Sequence, residues 1–325
     1  MKHAFLIIAH RNWNQLSRML AIIDSEKADF FIHVNSKIKI ESSTIEKVKS
    51  SVKKSKVYFT DRVPITWGNF GICKASLVLL KTAKTTGGGY DYYHLLTESD
   101  LLLKNIDEFD GFFEKHLYDN GSNKNYKTNY ISGSQPNKKL ASRVLYYNFF
   151  IPLWRSTHPV VRKMGTASNT LLVYLQKLFG VNRWKRNEIT LFHGLSWWSI
   201  TDDFASYYLE QGNWAEKQFG RYTFAADEYV PQTVFFNSPF KQSIVSDSPA
   251  YQTSLRLVDW KRGNGYGSPH IWTIGDKAEI EKTGNLIGRK FDESVDREIV
   301  DLIFEKNYIR SKHYESSNFS WRIWN

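Results

Sequence analysis

The sequence contains only one cysteine, Cys73, among 325 residues. A single thiol excludes an internal disulfide and any metal site built from several cysteines, and it is typical of a chain made for a reducing compartment. No window reaches the roughly 20 apolar residues that a membrane-spanning helix needs. The apolar run at 4–9 is also too short for the core of a signal peptide. We therefore expect a cytoplasmic protein that is soluble or bound peripherally to a membrane.

Glycine-rich nucleotide-binding motifs are also missing. Neither G-x-G-x-x-G nor G-x-x-x-x-G-K-S/T occurs, so side chains must hold any nucleotide that binds. The net charge is +11, but the lysines and arginines are scattered and form no basic stripe. This pattern does not favour nucleic acid as a partner. It favours an anionic small molecule or an anionic membrane surface.

Two short apolar runs, 4–9 and 30–34, lie on either side of a segment with helical spacing, 13–23. Continuous apolar runs of this length are typical of strands buried on both faces. The order of strand, helix and strand predicts an α/β fold with a parallel sheet, whose ligand binds at the carboxyl ends of the strands. The polar residues that follow these strands, and that we predict to contact the ligand, are His10, Arg11 and Asn35.

Two further strands are predicted at 57–59 and 90–96, separated by a helix at 70–84. The residues that follow these strands, and that we add to the candidate site, are Arg62, Trp67, Glu98 and Asp100. The closely spaced acids Glu98 and Asp100 could bind a divalent cation through their oxygens. They could also form a solvated turn, which is the favoured interpretation of the triplet alone.

The segment 137–186 has a helical periodicity that Pro152 and Pro159 interrupt, with basic and aromatic residues interleaved. We interpret it as a helical insertion within a single domain that spans 1–325. Such an insertion could face a membrane or an acceptor. A plain helical subdomain is the favoured interpretation.

Two adjacent tryptophans, Trp197 and Trp198, lie in a predicted strand at 191–200. Neighbouring side chains on a strand point to opposite faces. We therefore expect one tryptophan in the core and the other in a pocket, and both are candidates for acceptor binding.

Two adjacent acids, Asp227 and Glu228, precede the apolar run 230–236, and a helix is predicted to begin near Asp227. Acids at a helix start are common caps. The same position would also favour their ionised forms. The pair alone leaves both interpretations open.

These features together supply what glycosyl transfer from a nucleotide sugar requires. A carboxylate must take a proton from the acceptor hydroxyl as it attacks the anomeric carbon. Positive charge must stabilise the departing diphosphate. Glu228 is the candidate for the first role, and Arg289 with Lys290 for the second.

The motifs, taken in order, resemble the core-2/I-branching β-1,6-N-acetylglucosaminyltransferase family, which includes peptide O-xylosyltransferases. The resemblance extends from His10 to Asp292. The matching segments are Ile8–Arg11, Phe31–Lys37, Val63–Gly68, Tyr90–Asp100, Asp227–Glu228, Ser268–His270 and Arg289–Asp292.

The resemblance implies a GT-A-type fold, an inverting mechanism, a UDP-sugar donor carrying N-acetylglucosamine or xylose, and no required metal. It further implies that Glu228 is the catalytic base, that Lys290 contacts the donor diphosphate, and that Trp260 lies on the acceptor side. Asp227 is then the cap or an acceptor ligand.

The sequence departs from the family pattern at three places. Asn35 replaces a frequent aspartate, and Glu98 adds a carboxylate where the family commonly has Ser-Gly-x-Asp. The arginine that animal enzymes place upstream of the lysine is missing, so His270 or Arg289 is our substitute. Because of Glu98, a metal-dependent transferase using Glu98 and Asp100 remains an alternative.

The predicted site divides into a donor side and an acceptor side. The donor side comprises His10, Arg11, Asn35, Arg62, Trp67, Asp100, His270, Arg289 and Lys290, and the acceptor side Asp227, Trp197, Trp198 and Trp260. We expect a glycan or lipid-linked glycan as acceptor and peripheral association with the inner face of an anionic membrane. A carbohydrate-binding or nucleotide-binding module without catalysis is the second alternative.

Overall fold

The computed structural model describes residues 1–119, 125–156, 158–245, 254–264 and 267–311. These residues form an α/β fold with one five-stranded sheet, one three-stranded sheet and flanking helices. The α/β fold with a mixed sheet, predicted from the sequence, is confirmed. The predicted extent of the single domain includes 312–325, which lies outside the described residues, and it stays a prediction.

Among the described residues there are eight strands. They are β1 His3–Ala9, β2 Ala28–Val34, β3 Val57–Phe59, β4 Tyr92–Thr97, β5 Asp100–Leu102, β6 Ser199–Thr201, β7 Arg256–Val258 and β8 Ile287–Arg289. Of these, β1, β2 and β4 have six or seven residues and the others three. Every residue of β1 and β2 is buried. This agrees with the continuous apolar runs, because a strand covered on both faces has no need for polar alternation.

The larger sheet has the order β3-β2-β1-β4-β6. Strands β1 to β4 are parallel, and β6 pairs with β4 in the antiparallel direction. The chain leaves β1 towards β2 and β3 and then returns to add β4 on the other side of β1. This reversal is the point at which α/β sheets form a ligand crevice at their carboxyl ends. His10 follows β1 and Glu98 follows β4 at that edge.

The smaller sheet has the order β5-β8-β7. Its register places Arg289 of β8 opposite both Asp100 of β5 and Val258 of β7. The buried Arg256 joins this sheet to the larger one, because its guanidinium donates to the carbonyls of Leu95 and Trp198. The smaller sheet is thereby fixed beside the ligand edge of the larger one.

Helices cover both faces of the larger sheet. They are α1 Trp13–Ile23, α2 Ser42–Lys49, α3 Gly71–Thr85, α4 Ile106–Lys115, α5 Lys138–Leu145, α6 Pro159–Leu178, α7 Asp202–Glu210, α8 Gly212–Phe219, α9 Val230–Phe236, α10 Lys277–Lys282 and α11 Arg297–Ser311. Alternate residues of β1 enter two separate apolar clusters. Phe5 and Ile7 pack with α1, α4 and α11, whereas Leu6 and Ile8 pack with α3, α7 and α9.

The segment predicted as a helical insertion contains α5, a 3-10 segment at Ile151–Arg155, and α6. α5 packs near the ligand edge. The Tyr229 hydroxyl holds it there by donating a hydrogen bond of 2.8 Å to the carbonyl of Leu140 in α5. Most of α6 is exposed.

Two predicted elements differ from the structure. In the predicted strand 191–200 only the last two residues belong to a strand, β6, and the earlier part makes a single isolated bridge, between His193 and Ser134. The predicted helix near Asp227 is a 3-10 turn at Ala226–Glu228, and α9 begins afterwards at Val230. Pro231 in its first turn has the backbone angle that suits a helix start.

Candidate active site

A cleft of about 1000 Å³ opens at the carboxyl edge of the parallel strands. Its walls come from the loops after β1, β7 and β8, from the segment before β6, from the Asp227–Glu228 turn and from α5. Sites for small ligands span roughly 300 to 1000 Å³. The cleft is therefore large enough for a nucleotide sugar together with part of an acceptor.

Glu228 lies on one wall of the cleft with its carboxylate held by two side chains. Arg143 of α5 donates to Oε2 over 2.6 Å, and His193 Nε2 lies 3.0 Å from the same oxygen. Neither contact uses Oε1. The Glu228 side chain is 30% exposed, so an incoming hydroxyl can reach the carboxylate while the two partners fix its orientation.

Gly194 supports this wall from behind. Its backbone N–H donates to the Glu228 carbonyl over 2.9 Å. A Cβ at Gly194 would lie 2.0 Å from the Ser132 carbonyl oxygen, which is far inside van der Waals contact. Only glycine at position 194 permits this close approach to the Ser132 backbone.

Asp227 lies beside Glu228 but in a different environment. Burial raises the pKa of Asp227 to about 6, and the neighbouring charge of Glu228 acts in the same direction. The Ser196 hydroxyl donates to Asp227 Oδ2 over 2.6 Å. Asp227 does not occupy a cap position, because the N-cap residue of its turn is Ala225 and that of α9 is Tyr229. The two adjacent acids therefore have different hydrogen-bond partners.

A cationic group containing Arg289 and Lys290 also lines the cleft. The Arg289 guanidinium lies 4.3 Å from the centre of the Trp197 ring, and it donates to Asp100 Oδ1 over 2.8 Å. Burial lowers the pKa of Lys290 below its ordinary value, and the neighbouring charges of Arg11 and Arg289 add to this effect. An anionic ligand would relieve the repulsion among these cations.

His10 and Glu98 link the ends of β1 and β4. His10 Nδ1 lies 2.7 Å from Glu98 Oε1, and His10 is about half exposed whereas Glu98 is fully buried. His10 lines the cleft. Glu98 therefore orients His10 towards a ligand at the switch point of the sheet.

The carboxylates of Glu98 and Asp100 differ in how far their oxygens are satisfied. Asp100 Oδ1 accepts from Arg289, and Asp100 Oδ2 accepts from the Thr97 N–H over 2.6 Å. Glu98 Oε1 faces His10, whereas the buried Glu98 Oε2 has no hydrogen-bond partner among the described residues. Within the described ranges, no group of three or more His, Cys, Asp and Glu side chains is placed to hold a metal ion. Metal independence stays a prediction.

The structure brings most of the predicted site residues to one cleft. Those that line it are His10, Trp67, Trp197, Asp227, Glu228, Trp260, Arg289 and Lys290. Gly68 helps to present Trp67, because its φ of +77° is in the left-handed region and a Cβ there would lie 2.6 Å from Phe224. The individual roles of these residues stay predictions.

Three predicted donor residues instead stabilise loops. The Arg62 guanidinium donates to backbone carbonyls, including that of Val34 over 3.1 Å. The Asn35 amide bonds the backbone of Ile65 at both its oxygen and its nitrogen. Arg11 pairs with Asp292 at 3.1 Å. None of the three lines the cleft, although Arg11 lies near enough to Lys290 for its charge to lower the pKa of that lysine. Their assignment to the donor side stays a prediction.

Three further predicted residues also lie outside the lining of the cleft. Trp198 is only 1% exposed and packs in the core, with its ring edge against Tyr208, so it is not placed to contact an acceptor. His270 points to Asp276, with Nε2 2.9 Å from Oδ2. Asp100 is buried and holds the Arg289 guanidinium by an ion pair of 2.8 Å. Of the two residues predicted to contact the diphosphate in place of the missing arginine, Arg289 lines the cleft and His270 does not.

Sequence reasoning missed Arg143, His193 and Arg256, which all line the cleft. Arg143 is 85 residues from Glu228 along the chain, and no local pattern connects them. His193 stands in the segment interpreted only as a strand. Arg256 could not be recognised from the sequence, because only the structure shows that its guanidinium is buried and bonded to carbonyls.

A carboxylate and a cationic group share one cleft at the carboxyl edge of an α/β sheet. The Core-2/I-Branching enzyme family matches residues 3–282. The chain belongs to this family. Xylosyltransferase 2 of Rattus norvegicus is 22% identical over 320 residues, which are 92% of this chain. The chain spans about a third of the length of that curated relative (33%).

Solved structures of glycosyltransferases are similar at a low level. Mouse xyloside xylosyltransferase 1, in its apo form, has a TM-score of 0.36 at 10% identity, over 88% of this chain and 96% of that chain. Core-mannan synthase A from Aspergillus fumigatus, in an Mn/GDP form, has a TM-score of 0.31 at 14% identity, over 72% and 69%. The mannosyltransferase Ktr4p from S. cerevisiae in complex with GDP has a TM-score of 0.35 at 11% identity, over 73% and 66%.

Among the described residues, none of the helices combines the length and the apolar character needed to cross a membrane.

Proposed function

We propose that the protein is an inverting glycosyltransferase that moves a sugar from a UDP-sugar donor to a hydroxyl of a glycan. The observation that carries this proposal is Glu228, an accessible carboxylate with one oxygen held by Arg143 and His193, in the same cleft as Arg289 and Lys290. This combination supplies both a base and a site for a leaving diphosphate.

In the proposed reaction the acceptor hydroxyl gives its proton to Glu228 as its oxygen forms a bond to the anomeric carbon. The bond from that carbon to the diphosphate oxygen breaks at the same time, and UDP leaves with the electron pair. Attack opposite the leaving group inverts the anomeric configuration. Lys290 and Arg289 stabilise the negative charge that develops on the diphosphate.

The donor sugar proposed is N-acetylglucosamine or xylose. The resemblance of the motifs to core-2/I-branching enzymes supports the first, and the similarity to a xylosyltransferase supports the second. Trp260, which is 44% exposed in the cleft, offers a flat apolar face to an acceptor sugar. We further propose that the acceptor is a glycan or a lipid-linked glycan, and that the enzyme works in the cytoplasm at the membrane surface.

The proposed reaction requires no metal ion. The environment of Asp100 supports this proposal, because both of its carboxylate oxygens already accept hydrogen bonds, from Arg289 and from the Thr97 N–H. The alternative of a metal-dependent transferase predicts that EDTA abolishes turnover. Activity that survives EDTA would support the proposal.

Replacement of Glu228 by Gln tests the proposed base. The amide keeps the shape but cannot accept the proton, so we expect turnover to fall by at least about 100-fold. Donor binding should persist, and a thermal-shift panel of UDP-sugars would detect it through stabilisation by the bound ligand. The exposed Glu305 in α11, changed to Gln, is the matched control and should retain full turnover.

Two outcomes would contradict the proposal. If Glu228→Gln turned over at the rate of the unchanged protein, another group would be the base. If the unchanged protein bound a UDP-sugar but transferred no sugar to any glycan, the alternative of a non-catalytic binding module would be correct.

A further inference from the structure

Helix α6 carries an apolar stripe on its solvent-exposed side. The stripe consists of six residues at alternating spacings of four and three, namely Val160, Met164, Ala167, Leu171, Tyr174 and Leu178. Met164, Leu171 and Leu178 are 64%, 59% and 63% exposed. Phe179, directly after the helix, is 82% exposed. A surface helix normally turns such a stripe towards the core, so the arrangement in α6 is reversed.

The opposite face of α6 fixes this orientation. Gly165 is buried against Leu153, and a Cβ at that position would lie 2.7 Å from the leucine Cβ. Asn169 accepts a hydrogen bond from the Phe149 N–H over 2.7 Å. The Gln176 side chain bonds both the N–H and the carbonyl of Tyr147. These contacts hold the polar side of α6 against the protein and leave the α6 stripe outside.

The segment of chain that carries the α6 stripe has charged residues of one sign only. Residues 120–187 contain no Asp or Glu, although the whole chain has 33 acidic residues against a net charge of +11. The basic residues in this range are Lys124, Lys127, Lys138, Lys139, Arg143, Arg155, Arg162, Lys163, Lys177, Arg183, Lys185 and Arg186. The positive charge of the protein is thus concentrated in the part of the chain that carries the stripe.

We infer that α6 docks on an anionic lipid bilayer, lying in the plane of the interface with the α6 stripe in the acyl region. Its 20 residues correspond to a helix about 30 Å long. Interfacial helices combine an apolar face with basic residues that reach the lipid headgroups, and long Lys side chains can extend to those headgroups from the edge of such a face. The exposed Lys163 and Lys177 stand beside the stripe and meet this requirement.

Charge selects the bilayer over a second copy of the chain. Two copies that joined through the α6 stripe would bring two acid-free basic segments together, and like charges in an interface disfavour association. An anionic leaflet instead attracts each nearby Lys or Arg by about 1 kcal/mol. The α6 stripe and the basic residues of its segment therefore fit an anionic bilayer better than a second copy of the chain.

Docking through α6 would also place the cleft near the lipid surface. Arg183, which follows α6, donates to the backbone of α5 at Val144, and α5 supplies Leu140 and Arg143 to the cleft wall. This orientation rests on the proposed function where it concerns a lipid-linked acceptor. The docking surface itself does not depend on that function.

Vesicle flotation of the full chain tests the inference. We expect binding to vesicles of phosphatidylglycerol and phosphatidylcholine, weaker binding at high salt because surface charges are screened, and little binding to phosphatidylcholine alone. The double variant Leu171→Glu and Leu178→Glu should bind at least about tenfold more weakly. Lys163→Glu with Lys177→Glu should lose the preference for the anionic lipid.

Two matched variants control these experiments. Val295→Glu changes an exposed apolar residue outside α6 (57% exposed), and Lys282→Glu reverses an exposed charge in α10. Both should bind vesicles like the unchanged protein. All variants alter exposed side chains, so unchanged thermal unfolding should show that they fold.

Several results would overturn the inference. One is failure of the unchanged protein to float with anionic vesicles at low salt, and another is flotation of the Leu171 and Leu178 variant to the same extent as the controls. A dimer in light scattering that this variant dissociates would show that a second copy covers the stripe. Transfer to a soluble acceptor separates the two proposals: if it is absent while flotation persists, the proposed function fails and the docking surface stands.

Discussion

Arg143 should act as a positioning residue for the catalytic base. Its guanidinium donates to Glu228 Oε2 over 2.6 Å, and both side chains are 30% exposed. A hydrogen bond to a charged group contributes about 1.5–3 kcal/mol, and solvent screening at this exposure favours the lower end. Since about 1.4 kcal/mol corresponds to a factor of ten, Arg143→Met should lower kcat by roughly 5-fold to 20-fold. His193 still holds the carboxylate in this variant, which limits the loss.

Steady-state measurement of UDP release, with donor and acceptor varied separately, would measure this effect. We expect the loss in kcat with little change in KM for the donor, because Arg143 contacts the base and not the cationic group. Arg221→Met removes an exposed arginine outside the cleft and serves as the matched control. Combining Arg143→Met with Glu228→Gln should add little, because one residue acts through the other. A full additive loss, or no loss in the single variant, would refute the positioning role.

Two further predictions concern carboxylates beside the cleft. Folding raises the pKa of Asp227 from its ordinary 3.8 to about 6, so the protonated form stabilises the fold fully below pH 3.8 and this contribution is lost as pH rises through 6. Asp227→Asn cannot ionise, so above pH 6 it should be more stable than the unchanged protein in urea unfolding, by at most about 3 kcal/mol, and the difference should shrink towards pH 4. A constant difference between pH 4 and 8 would contradict the shift. Asp100→Asn leaves Arg289, which is only 14% exposed, without its counter-charge. The free energy of unfolding should therefore fall by about 3 kcal/mol or more. An unchanged midpoint in urea unfolding would contradict the importance of this pair.

The elements that follow from local pattern were predictable from the sequence. Strand β1 lies where the apolar run 4–9 placed it, and α1 has the bounds of the helical spacing at 13–23. In both cases the apolar residues that become buried are consecutive or periodic in the sequence, so the element can be recognised from them. The start of α9 was displaced, because the Asp227–Glu228 turn is set by contacts from α5 and from the segment before β6.

The candidate site was predictable only where a residue type and a strand end coincide. His10 at the end of β1 lines the cleft, whereas Arg62 after β3 bonds carbonyls, and no sequence pattern distinguishes these two fates of a polar side chain. Alternation predicted that Trp197 and Trp198 would point apart, and the structure buries Trp198. Which of the two faces the core depends on the packing of β6 against β4.

The partner of Glu228 could not be predicted for a different reason. Arg143 reaches Glu228 from α5, across 85 residues, and such a contact exists only after the insertion has packed on the sheet. Long-range ion pairs of this kind leave no periodic signal in the chain.

The position of Arg143 has a consequence for engineering and for divergence within the family. One continuous segment, 137–187, supplies both a wall of the cleft and the whole α6 stripe, whereas β1 and β8 supply His10, Arg289 and Lys290. Exchanging that segment between relatives would exchange the orientation of the base and the outer surface in a single recombination event. The residues proposed to hold the nucleotide would stay unchanged, because they lie outside the segment. The proposed acceptor side could therefore change through the exchange of one continuous segment.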